Sequence, residues 1–206
     1  MGIILKETAI IGVENDCLEK NKKEKEYLDY INTHIANVKK AYEIYFKPLL
    51  LSYNLVNGLS DELFKEAIRE AEVNIDKHDE SKFGDDEFDG YRAKYYPTEA
   101  EKLLSDEDQR NIMDRAELCW EHHYTNNPHH PKYWIDKQTG EIKDMELVYI
   151  IEMICDWQSF SIKSNNESDS AWNFYTTKAI DEKKAMTDNT KQLVEAILKY
   201  IHGINM

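Results

Sequence analysis

Four separate segments of the chain each place an imidazole or a carboxylate on an apolar helical face. The residues concerned are His34, His78, Asp79, His123 and Asp156. A charged group buried without a partner is costly, so buried charges are paired or bind a metal. One divalent cation could satisfy all of these nitrogen and oxygen atoms together. Imidazole with carboxylate ligation suits Mn, Fe, Co, Ni or Zn, and Mg is a further option.

Each of these residues also has a purely structural interpretation. His34 by itself is typical of a core histidine that makes a hydrogen bond. In the pair His78-Asp79, the histidine could be a cation at a helix C-terminus and the aspartate a solvated acid. Asp156, one turn after Glu152, would need a buried Arg or Lys as its partner. Together these alternatives require several unrelated explanations for one pattern, so a metal site is the favoured interpretation. Glu152 is expected to support a ligand.

Three further histidines lie near these segments. The pair His122-His123 is typical of one surface side chain and one packed side chain. His129 and His130 stand between two prolines, which exclude a continuous helix there. We expect these two histidines at the surface or beside the site.

Hydrophobic periodicity predicts the helices that position the candidate ligands. Apolar residues recur at spacings of three and four between Tyr27 and Tyr45, which predicts a helix that carries His34. Ser60 is a predicted N-cap of a second helix that leads toward His78. The other predicted helices cover residues 106–126, 145–162, 171–178 and 189–202.

The connecting segments contain turn and loop signals. Asn57-Gly58 predicts a turn, and GDDEFDGYRAKYYP predicts a loop or short turns. Thr98 with Glu101 predicts a capping box, and DKQTGEIKD allows for one short β-hairpin. We therefore predict an all-α fold of about six or seven helices. Residues 1–23 would form an N-terminal arm and residues 24–206 a single helical domain.

Composition narrows the class of protein. The 206 residues carry a formal net charge of -14, which disfavours non-specific binding of DNA or RNA. A small phosphorylated substrate is still compatible, because a bound cation reverses the local field. Three widely spaced cysteines do not form a disulfide framework. With neither a signal peptide nor a membrane span visible, we expect a cytoplasmic protein without a membrane partner.

The order His … His-Asp … Asp, with each part on its own helix, resembles the HD-domain superfamily of metal-dependent phosphohydrolases. The resemblance implies an HD-like helical bundle with one divalent metal. Its ligands would be His34, His78, Asp79 and Asp156. The resemblance extends to Lys82, because HDESK stands where many HD enzymes read His-Asp-x-Gly-Lys, and that lysine commonly faces the substrate phosphate. Ser81 replaces the usual glycine.

Some members of that superfamily hold a second metal through two histidines between the His-Asp pair and the last Asp. Here His123, with His129 or His130, could take those places. These histidines lie close together in sequence with a proline loop between them. A site with a single metal is therefore an alternative to the two-metal site.

Longer phrases carry a second resemblance, which covers His34 to about Tyr200. HDESKF, WEHHYTNNPHHPKYW and IIEMICDW are similar to signatures of a small bacterial and phage family of unknown function. That resemblance implies no activity.

The HD resemblance implies hydrolysis of a phosphoester, and the acidic composition favours a small nucleotide over a polymer. Asp79 would bind the metal and orient the attacking water, and Lys82 would neutralise charge on the phosphoryl group. Arg92 and Lys94 could contact phosphate or belong to a solvated loop. Several aromatic residues could stack a nucleobase or cover the site: Tyr95, Tyr96, Tyr133 and Trp134.

Two non-enzymatic alternatives stay open. An acidic phage-type protein could bind a partner while its His/Asp cluster holds a structural metal. A degenerate HD fold could bind a nucleotide without cleaving it. A structural metal is closed by protein ligands, whereas a catalytic metal keeps an open position, so the geometry of the site bears on this choice.

Overall fold

The computed structural model describes residues 2–52 and 59–203, with side chains described from residue 16 onward. Over these residues the protein is all-α, as predicted. The nine α-helices of the described chain are α1 (Gly2–Tyr45), α2 (Asp61–Asp76), α3 (Phe88–Tyr95), α4 (Glu99–Lys102), α5 (Asp106–Asn126), α6 (Leu147–Ser164), α7 (Ala171–Thr177), α8 (Ile180–Lys184) and α9 (Asp188–Ile201). The predicted turn at Asn57-Gly58 lies outside the described residues.

Short 3-10 turns connect several of the helices. They cover Lys47–Leu51, Glu80–Phe83, Pro131–Trp134 and Glu167–Asp169. The hairpin allowed by DKQTGEIKD is reduced to one antiparallel bridge between Ile135 and Ile142. None of the helices in the described part of the chain has both the length and the apolar character that a membrane span requires.

The chain divides into two compact units. The first comprises the described residues of Met1–Asn32 and Glu80–His123, and the second those of Thr33–Asp79 and Tyr124–Met206. Helix α1 extends from Gly2 to Tyr45. It therefore begins before residue 24, where the sequence suggested that the helical pattern starts. The division into an arm and one helical domain stays a prediction.

In the first unit, the segment predicted as a loop contains helix α3, and that prediction is wrong. Gly90 lies within α3. A glycine is needed at this position because a β-carbon there would come within 2.3 Å of Cys119 Sγ. The glycine therefore permits close packing between helices and does not mark a turn. The predicted capping box at Thr98 and Glu101 is confirmed.

The core of the second unit forms where α2 packs against α6. Helix α6 is apolar nearly all round and is buried on most of its surface, so its predicted central position is confirmed. The fully buried core side chains of these two helices include Phe64, Ile68, Ile150, Ile151 and Ile154. Tyr42 of α1 also contacts this core, because its hydroxyl donates a hydrogen bond to the Ile68 carbonyl oxygen at 3.1 Å.

Truncation of the α2 core face is expected to destabilise the protein. Ile68 is 0% exposed, so Ile68→Ala removes buried apolar contacts and leaves a cavity that costs about 2–5 kcal/mol. Val73 lies on the same helix and is 60% exposed, so Val73→Ala should change stability by less than about 0.5 kcal/mol. Urea denaturation measures both values, and equal losses would contradict the packing described for α2.

Candidate metal centre

Three parts of the second unit bring its candidate ligands together. His34 lies on the C-terminal half of α1, and Glu152 and Asp156 lie one turn apart on α6. His78 and Asp79 follow the end of α2, where the His78 N–H donates to the Ile75 carbonyl oxygen at 3.3 Å. Asp79 takes a φ of 58°. Aspartate is among the residues that tolerate this left-handed region, which turns the chain immediately after the α2 helix.

Two imidazole nitrogens and two carboxylate oxygens face one another at the centre of this site. Nε2 of His34 lies 3.1 Å from Asp156 Oδ1 and 3.4 Å from Asp79 Oδ2. Nε2 of His78 lies 3.6 Å from the same Asp79 oxygen and 3.8 Å from the same Asp156 oxygen. Atoms that share an ion at about 2.1 Å are separated by roughly 3.0–3.4 Å. The four atoms are therefore spaced approximately as ligands of one cation.

Glu152 orients two of the histidines. Its Oε1 lies 2.9 Å from His78 Nδ1 and 3.0 Å from His129 Nδ1. A carboxylate can only accept, so both Nδ1 atoms carry the proton and donate. The other ring nitrogen of His78, Nε2, faces the two aspartates. A carboxylate behind an imidazole is the arrangement that fixes the tautomer of metal-binding histidines.

The Nε2 atom of His78 provides the test of whether a metal fits. This atom is buried and has no hydrogen-bond partner among the described residues. A buried polar atom left unsatisfied costs about 1–3 kcal/mol. His78 Nε2 lies 3.6 Å from Asp79 Oδ2 and 3.8 Å from Asp156 Oδ1, and a cation among these atoms would satisfy all three groups. The residues present fit a divalent metal ion.

His129 is more central than the sequence suggested. It is 2% exposed, and its ring lies 4.5 Å from the His78 ring between centroids. Its Nε2 is 3.7 Å from Asp79 Oδ1. Of the two positions expected for His129, at the surface or beside the site, the structure shows the second. His130 is partly buried, with its ring 4.2 Å from that of His129. The proline-bounded turn gave no periodicity that could have shown which histidine points inward.

The remaining predicted site residues belong to the first unit. Nδ1 of His123 lies 2.9 Å from Glu87, a carboxylate that also contacts His122 Nδ1 at 2.8 Å. Lys82 is partly buried in the turn Glu80–Phe83. The roles suggested for His123 and Lys82 stay predictions.

Arg92 and Lys94 lie on α3, which is part of the same first unit. The buried Arg92 guanidinium donates two hydrogen bonds to Glu101, at 2.6 and 2.7 Å. This bidentate pair gives Arg92 a structural function, and contact with phosphate stays a prediction. The Lys94 ammonium lies 5.2 Å from the centroid of the Tyr95 ring.

Mutual neutralisation sets the protonation states around α6. Burial lowers the pKa of His34, but the hydrogen bonds to Asp156 and Asp79 outweigh burial and raise the pKa to about 9. Burial raises the pKa of Glu152, but the hydrogen bonds from His129 and His78 outweigh that effect and lower it to about 2. Glu152 is therefore ionised at neutral pH, and His34 carries a proton when no metal is bound.

The fold and the site define an all-α protein with buried His/Asp and His/Glu groups that could hold a metal ion. The chain belongs to the family described as "Family of unknown function (DUF5662)", which matches residues 23–200. Membership of a family of unknown function fits the resemblance carried by the longer sequence phrases. The chain matches no curated protein and no solved structure.

The pKa of His34 should respond to its two carboxylate partners. In the metal-free protein we expect His34 to titrate near pH 9, and Asp156→Asn to lower its pKa more than Asp79→Asn. The folded-state pKa is raised above the ordinary value of about 6.5. The stabilisation from this group is therefore complete below about pH 6.5 and is lost as the pH rises through about 9.

NMR titration of the imidazole signals, in the presence of a chelator, measures this pKa. The free energy of unfolding, measured across the same pH range, tests the predicted loss of stability. A His34 pKa that is equal in the wild type and in Asp156→Asn would contradict the assigned ion pair.

Proposed function

We propose that this protein is a metal-dependent phosphohydrolase that acts on a small nucleotide or another phosphoester. The supporting observation is the convergence of four candidate ligand atoms from three parts of the chain: the Nε2 atoms of His34 and His78 each lie 3.1–3.8 Å from both aspartate oxygens. Their order along the chain is that of the HD-domain superfamily. This order and the geometry of the cluster support the proposal.

In this proposal one divalent ion is held by His34, His78, Asp79 and Asp156. When bound, such an ion neutralises charge on a phosphoryl group and makes hydroxide accessible at neutral pH. Glu152 keeps the proton of His78 on Nδ1, which leaves Nε2 available as a ligand.

Asp79 has two tasks in this proposal. Its Oδ2 faces the Nε2 atoms of His34 and His78, and its Oδ1 faces His129 at 3.7 Å. One carboxylate oxygen could therefore bind the ion while the other accepts a hydrogen bond from the attacking water. Lys82 would contact the phosphate, as the HD resemblance implies.

Access from solvent also bears on the choice between a catalytic and a structural metal. The side chain of Asp156 is 15% exposed, whereas those of His78 and Asp79 are 0% and 2% exposed. Asp156 is thus the most exposed of these three side chains. A catalytic metal keeps an open position, so this exposure favours the hydrolase over the structural alternative.

Loss of a central carboxylate should remove both metal and activity. We expect the wild type to bind about one metal ion per chain, and Asp156→Asn to bind much less. Hydrolysis should fall by about two orders of magnitude or more. The control is Glu146→Gln, an exposed acid at the start of the same helix, which removes one charge and should leave both unchanged.

Elemental analysis and a panel of nucleotides and generic phosphodiesters with added Mn provide the measurements. Bound metal without hydrolysis across the panel would favour the non-catalytic alternative. Absence of both metal and hydrolysis in the wild type would overturn the proposal.

The supporting role of Glu152 predicts a milder effect. Glu152→Gln keeps the size of the side chain but removes the charge that polarises His78, so metal affinity should fall about 10–100-fold. Hydrolysis should recover at saturating metal, because the ligands themselves are intact. Competition with a chromogenic chelator measures the affinity. A Glu152→Gln protein that stays inactive at any metal concentration would contradict this role.

A further inference from the structure

A cavity of about 510 Å³ lies beside the C-terminal half of α6 in the second unit. This volume is typical of sites for small organic ligands. The residues around it that carry the argument are Trp157, Phe160, Lys163, Ser164, Asp169 and Phe174.

Aromatic rings form the wall of this cavity. Trp157 is buried and packs against Phe174 with 5.1 Å between ring centroids. Phe160 is 46% exposed, so much of its ring is available to a ligand. Planar rings stack on such aromatic surfaces, and any of the nucleobases can do so because each has a π face.

Polar groups of opposite hydrogen-bonding character lie on the rim of the same cavity. Lys163 supplies an ammonium donor and Asp169 a carboxylate acceptor, while the Ser164 hydroxyl donates to the Ser161 carbonyl oxygen and can still accept. The edge of a nucleobase carries both donors and acceptors. A purely apolar ligand would leave these groups unused, so the combination favours a base over a lipid or an aliphatic chain.

The cavity adjoins the candidate metal centre through α6. Phe160 lies four residues after Asp156, so the two side chains share a helical face about 6 Å apart along the axis. The ring of Phe160 also lies 5.7 Å from the His34 ring between centroids. A base stacked on Phe160 would therefore lie about one helical turn from Asp156, within the reach of its own sugar and phosphate.

We propose that this cavity binds the base of a nucleotide whose phosphate lies at the metal centre. The position of the phosphate rests on the proposed function, whereas recognition of the base requires no hydrolysis. The aromatic residues assigned here differ from Tyr133 and Trp134, the candidates from this unit that the sequence suggested for stacking.

Substitution of Phe160 tests the proposal on the full chain loaded with Mn. Calorimetric titration with adenosine, guanosine, cytidine and uridine, with ribose as the ring-free reference, reports base binding without a phosphate. We expect at least one nucleoside to bind the wild type more tightly than ribose, and Phe160→Ala to weaken that binding about tenfold, or about 1.4 kcal/mol. Phe160→Leu, which keeps apolar bulk but has no π face, should retain only part of the affinity.

The matched control is Tyr200→Ala, which removes a 38% exposed aromatic ring from α9, away from the cavity. It should bind nucleosides as the wild type does. Metal content and circular dichroism of each variant show whether the metal centre and the fold are retained.

Two results separate this inference from the proposed function. If no nucleoside binds better than ribose, or if Phe160→Ala binds as the wild type does, the cavity assignment is wrong even where phosphoesters are hydrolysed. If nucleosides bind, Phe160→Ala loses them, and no phosphoester is hydrolysed, the cavity assignment stands and the hydrolase proposal falls.

Discussion

The burial of several carboxylates within one unit is the constraint on which this structure depends. Glu152 is 4% exposed, and Asp79 is 1% exposed. Ionised groups in such positions are costly unless they are paired. Histidines supply the compensation, and each does so from a different part of the chain. His34 pairs with Asp156, while His78 and His129 share Glu152.

This pairing links the site to the core around it. The same helix α6 that carries Glu152 and Asp156 packs against α2, whose end carries His78 and Asp79. Any shift between the two helices would alter both the apolar packing and the spacing of the charged atoms. A packed core is nearly incompressible, and ligand sites need positions held within a fraction of an ångström. The buried isoleucines of α2 and α6 therefore serve the site as well as stability.

Exposure differs across the site. Glu152 is 4% and His129 2% exposed, whereas the side chain of Asp156 is 15% exposed and Phe160 is 46% exposed. A chain with a net charge of -14 attracts a phosphorylated ligand only where a cation reverses the local field. The position of a metal would thus decide where on this acidic protein a phosphate can bind.

The sequence by itself determined the all-α class, the start of α2 at its Ser60 cap, and the burial of α6, because periodicity and capping are local properties. It also indicated which polar residues lie on apolar faces. Only the tertiary structure decided that His34, His78, Asp79 and Asp156 meet, since contacts between distant segments depend on packing. It likewise showed that Gly90 lies inside a helix and that His129 points inward. Neither a glycine required for close packing nor a histidine in a proline-bounded turn has a periodic signal that reveals its surroundings.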